Sequence, residues 1–351
     1  MFKIPKRIRE RFSRDIGIDL GTANTLVYLK GKGVIVNEPS VVAVNQKTGQ
    51  VVAVGAQARD MVGRTPVHIT AVRPLVEGVI SDFEVTEEML SYLIQKAQGE
   101  RMMLGPRVVI GVPSGITNVE IRAVRDAARN AGAREVYIIE EPMAAALGAR
   151  LPVHEPVGTM LVDIGGGNTD IALMSLGGIV RSKNVRIAGD TLNQDISAYI
   201  RSEFKILIGD RTAEDVKTAV GSVIKQAVPL QTTIRGRDLV TGLPREIIIT
   251  DADVREAIAP SIATIVEAIK EVIETAPPEV VSDVIRLGVF ITGGGALLRG
   301  LPDLLATELK VPIHVVDDPL TTVVRGTGVV LEDIEKYSSV LIDDDDGAIS
   351  N

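Results

Sequence analysis

The chain contains no cysteine and no tryptophan. Without thiols there is no disulfide framework and no cysteine-ligated metal. A cysteine-free chain suits a reducing compartment, so a cytoplasmic protein is expected. Histidine is nearly as scarce. His68, His154 and His314 are the three in 351 residues, and no metal-ligand spacing relates them. Aromatic residues make up 3%, so the core must be built from Val, Ile, Leu and Ala. Such β-branched richness suits buried parallel strands. No apolar run reaches the roughly 20 residues that cross a bilayer. The basic N-terminus lacks the apolar stretch and cleavage site of a secretory signal. Positive charge is also short overall, with 38 Lys and Arg against 46 Asp and Glu. A net charge of -8 makes a poor non-specific nucleic-acid binder, and no nucleic-acid partner is expected.

What is present is an ordinary globular composition, 45% hydrophobic and 24% charged. At roughly 100–200 residues per domain, the length predicts two domains. Strand-like and helix-like stretches alternate, which marks an α/β protein. Asp15–Leu20 and Leu26–Leu29 read as strands around a tight Gly-containing turn. Val108–Val112 and Val136–Ile139 read as further strands. Glu87–Ala97, Val119–Ala131 and Pro142–Ala149 read as helices. In the second of these, Val119, Ala123, Ala127 and Ala131 share one face, and Gly132 is placed to stop it.

The second half then restarts with the pattern of the first. Asp19-Leu20-Gly21-Thr22-Ala23-Asn24-Thr25 is echoed by Asp163-Ile164-Gly165-Gly166-Gly167-Asn168-Thr169. Both follow an apolar strand and precede another. Two copies this far apart predict two related domains rather than a solenoid. The boundary is expected near Leu151–Gly158, where Pro152 and Pro156 interrupt the pattern.

In each copy a strand delivers a carboxylate to a sharp bend. Glycine lets another group approach the backbone closely. Successive N–H groups there can form an anion-binding nest. Thr22, Asn24, Asn168 and Thr169 add side-chain donors. Either turn alone reads as an ordinary hairpin. Repeated in equivalent places, they read as two clasps for a polyphosphate. Asp19 and Asp163 would then flank a hydrated Mg²⁺, which keeps several waters and uses few carboxylates. A third element is Leu287–Ile291, read as a strand, then Thr292-Gly293-Gly294-Gly295-Ala296 and a helical Leu297-Leu298. Alone it could be a flexible connector; after two phosphate turns it reads as the nucleoside side of the same site.

Two hairpins and a strand-Gly-Gly-Gly turn in that order resemble the superfamily of actin, Hsp70 and the sugar kinases. Within it the chain resembles the MreB family from about Ile16 to Glu332. The segments that carry the likeness are Asp15–Tyr28, Asn37–Val41, Val108–Pro113, Ile139–Ala146, Asp163–Gly167 and Ile291–Gly300. The resemblance implies an actin-like fold around an ATP (or ADP) cleft, with Mg²⁺ as the metal. Its expected divisions are 15–42, 76–152 and 325–340 for one large subdomain, with 43–75 for its small one. The other pair are 153–190 with 252–324, and 191–251. The resemblance further implies a homopolymer, filaments on an anionic membrane surface at the inner face of the cell membrane, and cell-wall elongation machinery as partner.

Carried onto this sequence, the nucleotide contacts are Thr22, Ala23, Asn24, Gly165, Gly166, Gly167, Glu214, Lys217, Gly293, Gly294, Gly295 and Ala296. Glu141 matches the carboxylate that orients or deprotonates the attacking water. By itself Glu141 reads as a helix-N-terminal carboxylate, favoured by the helix dipole. The family pattern after Gly-Gly-Gly is usually Thr-Thr-Glu, whereas this chain has Asn168-Thr169-Asp170. Asn168 takes the water-positioning place with a longer, planar amide, which implies slow or altered hydrolysis.

Residues 1–14 carry a net charge of +5 and interleave Phe2, Ile4, Ile8 and Phe12 with Lys and Arg. Ile4, Ile8 and Phe12 share a face if helical. Each Lys or Arg near an anionic surface is worth about 1 kcal/mol, so the segment reads as an interfacial anchor. Met102, Met103 and Leu104 match a membrane-inserting loop of the family, though such a loop could also pack on its own domain. Residues 341–351, with Asp343–Asp346, read as a solvated acidic tail. A small-molecule kinase of the same superfamily, or a division actin of the FtsA type, is the alternative. Neither calls for an N-terminal amphipathic segment.

Overall fold

The computed structural model describes residues 14–99 and 105–342. Phe2, Ile4, Ile8, Phe12, Met102, Met103, Leu104 and the run Asp343–Asp346 lie outside the described residues. The chain opens with a hairpin, β1 (Ile16–Leu20) and β2 (Asn24–Leu29), followed by β3 (Gly33–Pro39). β4 (Val42–Asn45), β5 (Val51–Val54), helix α1 (Ala56–Met61) and β6 (Ile69–Val72) form a small sheet and its cover. A two-residue pair, β7 (Leu75–Val76) and β8 (Val79–Ile80), leads into α2 (Phe83–Gln98). Then come β9 (Arg107–Val112), α3 (Asn118–Asn130), β10 (Glu135–Glu140) and α4 (Glu141–Gly148).

The second stretch repeats the plan with β11 (Thr159–Ile164), β12 (Thr169–Ser175) and β13 (Gly178–Val185). α5 (Gly189–Phe204), β14 (Ile206–Leu207), α6 (Asp210–Val220), β15 (Gln231–Asp238) and β16 (Pro244–Thr250) follow. α7 (Asp251–Glu274), α8 (Pro278–Leu287), β17 (Val289–Thr292), α9 (Leu301–Leu309) and β18 (Ile313–Val315) complete it. The chain ends with α10 (Thr322–Glu332) and the short β19 (Leu341–Ile342).

The described residues form two compact units. One takes in the chain to Glu155, Leu176–Gly178 and the chain from Thr321; the other holds Pro156–Ser175 and Ile179–Leu320. The first crossing between them falls between Glu155 and Pro156. The last falls between Leu320 and Thr321, and α10 packs whole on β1 and α4. A Cβ on Gly17 of β1 would overlap the Thr327 hydroxyl, and one on Gly326 would overlap the Ala144 carbonyl. That helix–helix approach admits only glycine.

Each unit has one main sheet, and the two sheets share a topology. In the first the order is β19-β10-β9-β1-β2-β3; in the second it is β13-β12-β11-β17-β18. In both, an antiparallel hairpin is flanked on its first strand by two further parallel strands. The sequence repeat is therefore a repeat of sheets. In the first unit Ile16, Ile18, Val108 and Ile110 pack under Met89, Leu93 and Val124. In the second Val162, Ile164, Ile171 and Leu173 pack under Ile196, Ile200, Ile258 and Ile265. These strands are near-continuous apolar runs, as strands covered on both faces must be.

Three local expectations are corrected. The buried face of α3 is Ile121, Val124, Ala127 and Ala128, while Val119 is 77% exposed. Of the expected stripe, Ala127 and Ala131 are in the core and Ala123 is half-buried, so only its first member, Val119, falls outside the buried face. The Gly293 strand begins at Val289, since Leu287 closes α8, and the glycines enter a 3₁₀ turn over Gly294–Leu297. Leu341 and Ile342, expected in the tail, pair with Ile139 and Ile138 of β10. The expected Gly132 stop of α3 holds, and the structure adds a cap at its start. Thr117 and Glu120 form a reciprocal cap for α3, and Gly132 ends it at φ 104.

Candidate functional site

In the first unit the β1–β2 turn is braced from below. Ser40 Oγ donates to the Gly21 carbonyl at 2.6 Å and lies 2.8 Å from Thr25 Oγ1, while Ser40 N donates to the Ala23 carbonyl at 3.0 Å. Thr22 is buried, and its Oγ1 accepts from Gly78 N at 3.0 Å. Thr22 thus ties the turn to the β7–β8 loop, with only its hydroxyl hydrogen left to give. Ala23 and Asn24 are exposed at the tip. A Cβ on Gly21 would sit 2.6 Å from the Asn24 carbonyl oxygen, so the bend requires glycine.

Asp19 is the register partner of Gly111 on the parallel strand β9. A Cβ on Gly111 would lie 3.3 Å from Glu141 Cγ and 3.2 Å from Val323 Cγ1. The missing side chain at 111 is filled by Glu141, which brings that carboxylate to the side of the sheet that carries Asp19. Burial pushes the Asp19 carboxyl up to about 7. The neighbouring Glu140 goes elsewhere. It faces Ser114 and the Gly115 backbone, and burial outweighs their favourable influence to raise its pKa. Glu141 thus packs over Gly111, the register partner of Asp19.

In the second unit Asp163 pairs in register with Thr292 of β17 and with Asp170 of β12. Gly293, at φ 79, lies directly against it; a Cβ there would overlap Asp163 Oδ1 and the Ile164 carbonyl. The glycine run and the second hairpin are one structure, held by β11–β17 pairing. Ala296 is 3% exposed and its methyl belongs to the core, leaving only its backbone for any ligand. The N-terminus of α5 rests on the same turn, with Gly189 N donating to the Gly165 carbonyl at 3.1 Å and Asp190 N to that of Gly166 at 2.8 Å. Lys217 Nζ reaches across from α6 to the Gly189 carbonyl at 2.9 Å and to Glu214 Oε2 at 2.8 Å. Asn193 Nδ2 donates to that same Glu214 oxygen at 2.7 Å. Glu214 and Lys217 are thereby joined to the hairpin that holds Asp163.

Asn168 is 8% exposed. Its Nδ2 donates to Asp170 Oδ2 at 2.7 Å and its backbone carbonyl accepts from Gly165 N at 3.0 Å. Sequence reasoning did not single out Gly111, Gly189, Asn193 or Asn184. A lone Gly or Asn at a strand or helix end carries little signal. Among the described residues no group of three or more His, Asp or Glu has the geometry to hold a metal ion.

Two sheets of one topology, each ending its first strand in a carboxylate and a glycine turn, define a protein of the actin-like fold. A solved MamK double helical filament has the same fold at a TM-score of 0.79, with 22% identity over 92% of this chain and 99% of that one. The MreB/Mbl protein family model matches residues 13–339, and the chain belongs to that family. Cell shape-determining protein Mbl of Bacillus subtilis is 52% identical over 93% of this chain and 98% of that protein. Cell shape-determining protein MreB of Escherichia coli K12 is 47% identical over 97% and 99%. MreB 5 of Spiroplasma citri, solved bound to AMPPNP, superposes with a TM-score of 0.88 at 39% identity over 93% and 98%. The same protein has also been solved bound to ADP.

Proposed function

We propose that the chain is a nucleotide-dependent bacterial actin that polymerises on the cell membrane and sets cell shape by guiding wall synthesis. The observation that carries the reading is the pair of carboxylate–glycine hairpins, one in each unit, in a chain whose relative binds AMPPNP and ADP. ATP phosphates would be held by the turns at Thr22–Asn24 and Gly165–Gly167. The nucleoside would lie against Glu214, Lys217 and Gly293–Gly295. Mg²⁺ would be held, through water, by Asp19 and Asp163. The fit is supported by Asp19, a half-buried residue whose carboxyl pKa is raised by desolvation and whose charge a cation would offset. Bound Mg²⁺ supplies charge neutralisation along the phosphates.

Glu141 would orient or deprotonate the attacking water, and Asn168 would help to position it. Separate three-stranded sheets, β5-β4-β6 and β14-β15-β16, support small subdomains at 43–75 and 191–251. No described helix is long and apolar enough to cross a membrane. Attachment would therefore rest on the segments Phe2–Phe12 and Met102–Leu104. Many copies in a filament would multiply a weak single contact.

Light scattering with ATP and Mg²⁺, with and without anionic vesicles, followed by electron microscopy, tests the reading. Filaments that need nucleotide are the expected result; a monomer under all conditions refutes polymerisation. Deleting residues 2–12 is expected to reduce vesicle pelleting sharply, and equal pelleting removes the anchor.

A further inference from the structure

Asp170 stands directly opposite Asp163 in the β11–β12 register. Residues paired across antiparallel strands share a face, so two carboxylates are neighbours there. They are 1% and 8% exposed. Like charges that deep are tolerated only when donors reach them. Asp170 has an amide on each oxygen: Asn168 Nδ2 on Oδ2 at 2.7 Å, and Asn184 Nδ2 on Oδ1 at 3.0 Å.

This clamp decides how Asn168 is oriented. A carboxamide has a donor end and an acceptor end. With Nδ2 given to Asp170, the carbonyl Oδ1 is the end turned away. The reverse orientation would set that carbonyl against a carboxylate, two acceptors face to face. Asn168 Oδ1 accepts no hydrogen bond from the described residues and is not sealed from solvent. The backbone bond to Gly165 fixes the main chain beneath it.

We propose that Asp170, steadied by Asn184, is a positioning residue that locks Asn168 with its carbonyl oxygen outward, so that Asn168 orients the attacking water by accepting its hydrogen. This presupposes that the second hairpin holds ATP phosphates. In the step, the water oxygen bonds to the γ-phosphorus and the bond from that phosphorus to the β–γ bridging oxygen breaks. ADP leaves with that electron pair, and the water proton passes to solvent. ATP and water yield ADP, inorganic phosphate and a proton. Asn168 takes no proton; it sets the direction of one O–H bond. Turned over, the same amide would donate to phosphate and leave the water unaligned.

Asp170→Asn keeps the size of the side chain but lets residue 170 donate, so the Asn168 amide can turn. Three quantities are read: affinity for a fluorescent ATP analogue with Mg²⁺, single-turnover phosphate release, and the Asn168 side-chain amide signal by NMR in nucleotide-free protein. That signal is assigned by its loss in Asn168→Thr. The expected result is affinity within about threefold, phosphate release slower by about tenfold or more, and faster solvent exchange of the Asn168 amide. Asn184→Ala alters no charge and sits at a half-buried position. It should show the same pattern more weakly, and it serves as the test if Asp170→Asn does not fold. Wild-type phosphate release at unchanged affinity, in whichever of the two folds, overturns the proposal. Absence of ATP binding by the wild-type protein overturns the nucleotide reading and the proposal with it.

Discussion

Replacing Asp19 by Asn should make the nucleotide-free protein more stable at pH 8 while removing Mg²⁺-dependent nucleotide binding. Burial raises the Asp19 carboxyl from 3.8 to about 7. The folded form therefore holds the proton more tightly than the unfolded chain does. The cost of ionising it is absent below pH 3.8, grows between there and 7, and is complete above. Each tenfold in proton affinity is worth about 1.4 kcal/mol, which puts the cost on the order of 4 kcal/mol at pH 8 and about 2 kcal/mol at pH 5. Both are upper figures, since water reaching the turn softens the penalty. Asparagine carries no charge and escapes it. Urea unfolding should be followed by circular dichroism, because the chain has no Trp. The gain of Asp19→Asn should be roughly 2–3 kcal/mol larger at pH 8 than at pH 5. A variant less stable than wild type at pH 8, or a gain equal at both pH values, refutes the charge-burial reasoning.

Glu141→Ala is expected to keep nucleotide affinity and to slow phosphate release about a hundredfold, the usual scale for losing a water-activating group. Unchanged release removes Glu141 from the chemistry. Asp15 accepts from Arg107 Nη2 at 2.6 Å, Nε at 2.9 Å and the backbone N at 3.1 Å. Asp15→Ala strands that guanidinium and should cost about 3 kcal/mol in urea unfolding, with part recovered by adding Arg107→Ala. Gly326→Ala places a methyl on the Ala144 carbonyl and should cost more than about 3 kcal/mol or yield no soluble protein. A variant within 1 kcal/mol of wild type, by the same assay, would mean that α4 and α10 can move apart.

The two hairpins were legible because each is contiguous. An apolar strand, an Asp, a Gly-bearing bend and another apolar strand lie within about a dozen residues, and local rules suffice. Their repetition predicted related domains, and the two sheets do share one topology. The face of α3 was legible only in part: Ala127 and Ala131 are in the core, but Val119 is not, and Ile121 and Val124 complete the buried face. Ala and Val recur at several helical spacings, and the buried one depends on what α3 meets. The choice between Glu140 and Glu141 was also out of reach of local rules. Two adjacent carboxylates differ only in where they point, and Gly111, 30 residues earlier, receives one of them.

What the sequence determined by itself is the family, the repeat and the residues that turn the chain sharply beside a carboxylate. These follow from glycine's freedom, strand periodicity and order along the chain. Tertiary structure alone decided which groups surround those turns. Lys217 reaches Gly189 across 28 residues, and Asn184 reaches Asp170 across 14. Such contacts are made by folding the sheet and its helices together, and no local pattern encodes them. The burial that drives the Asp19 carboxyl to about 7 is of the same kind: a property of everything packed around one side chain.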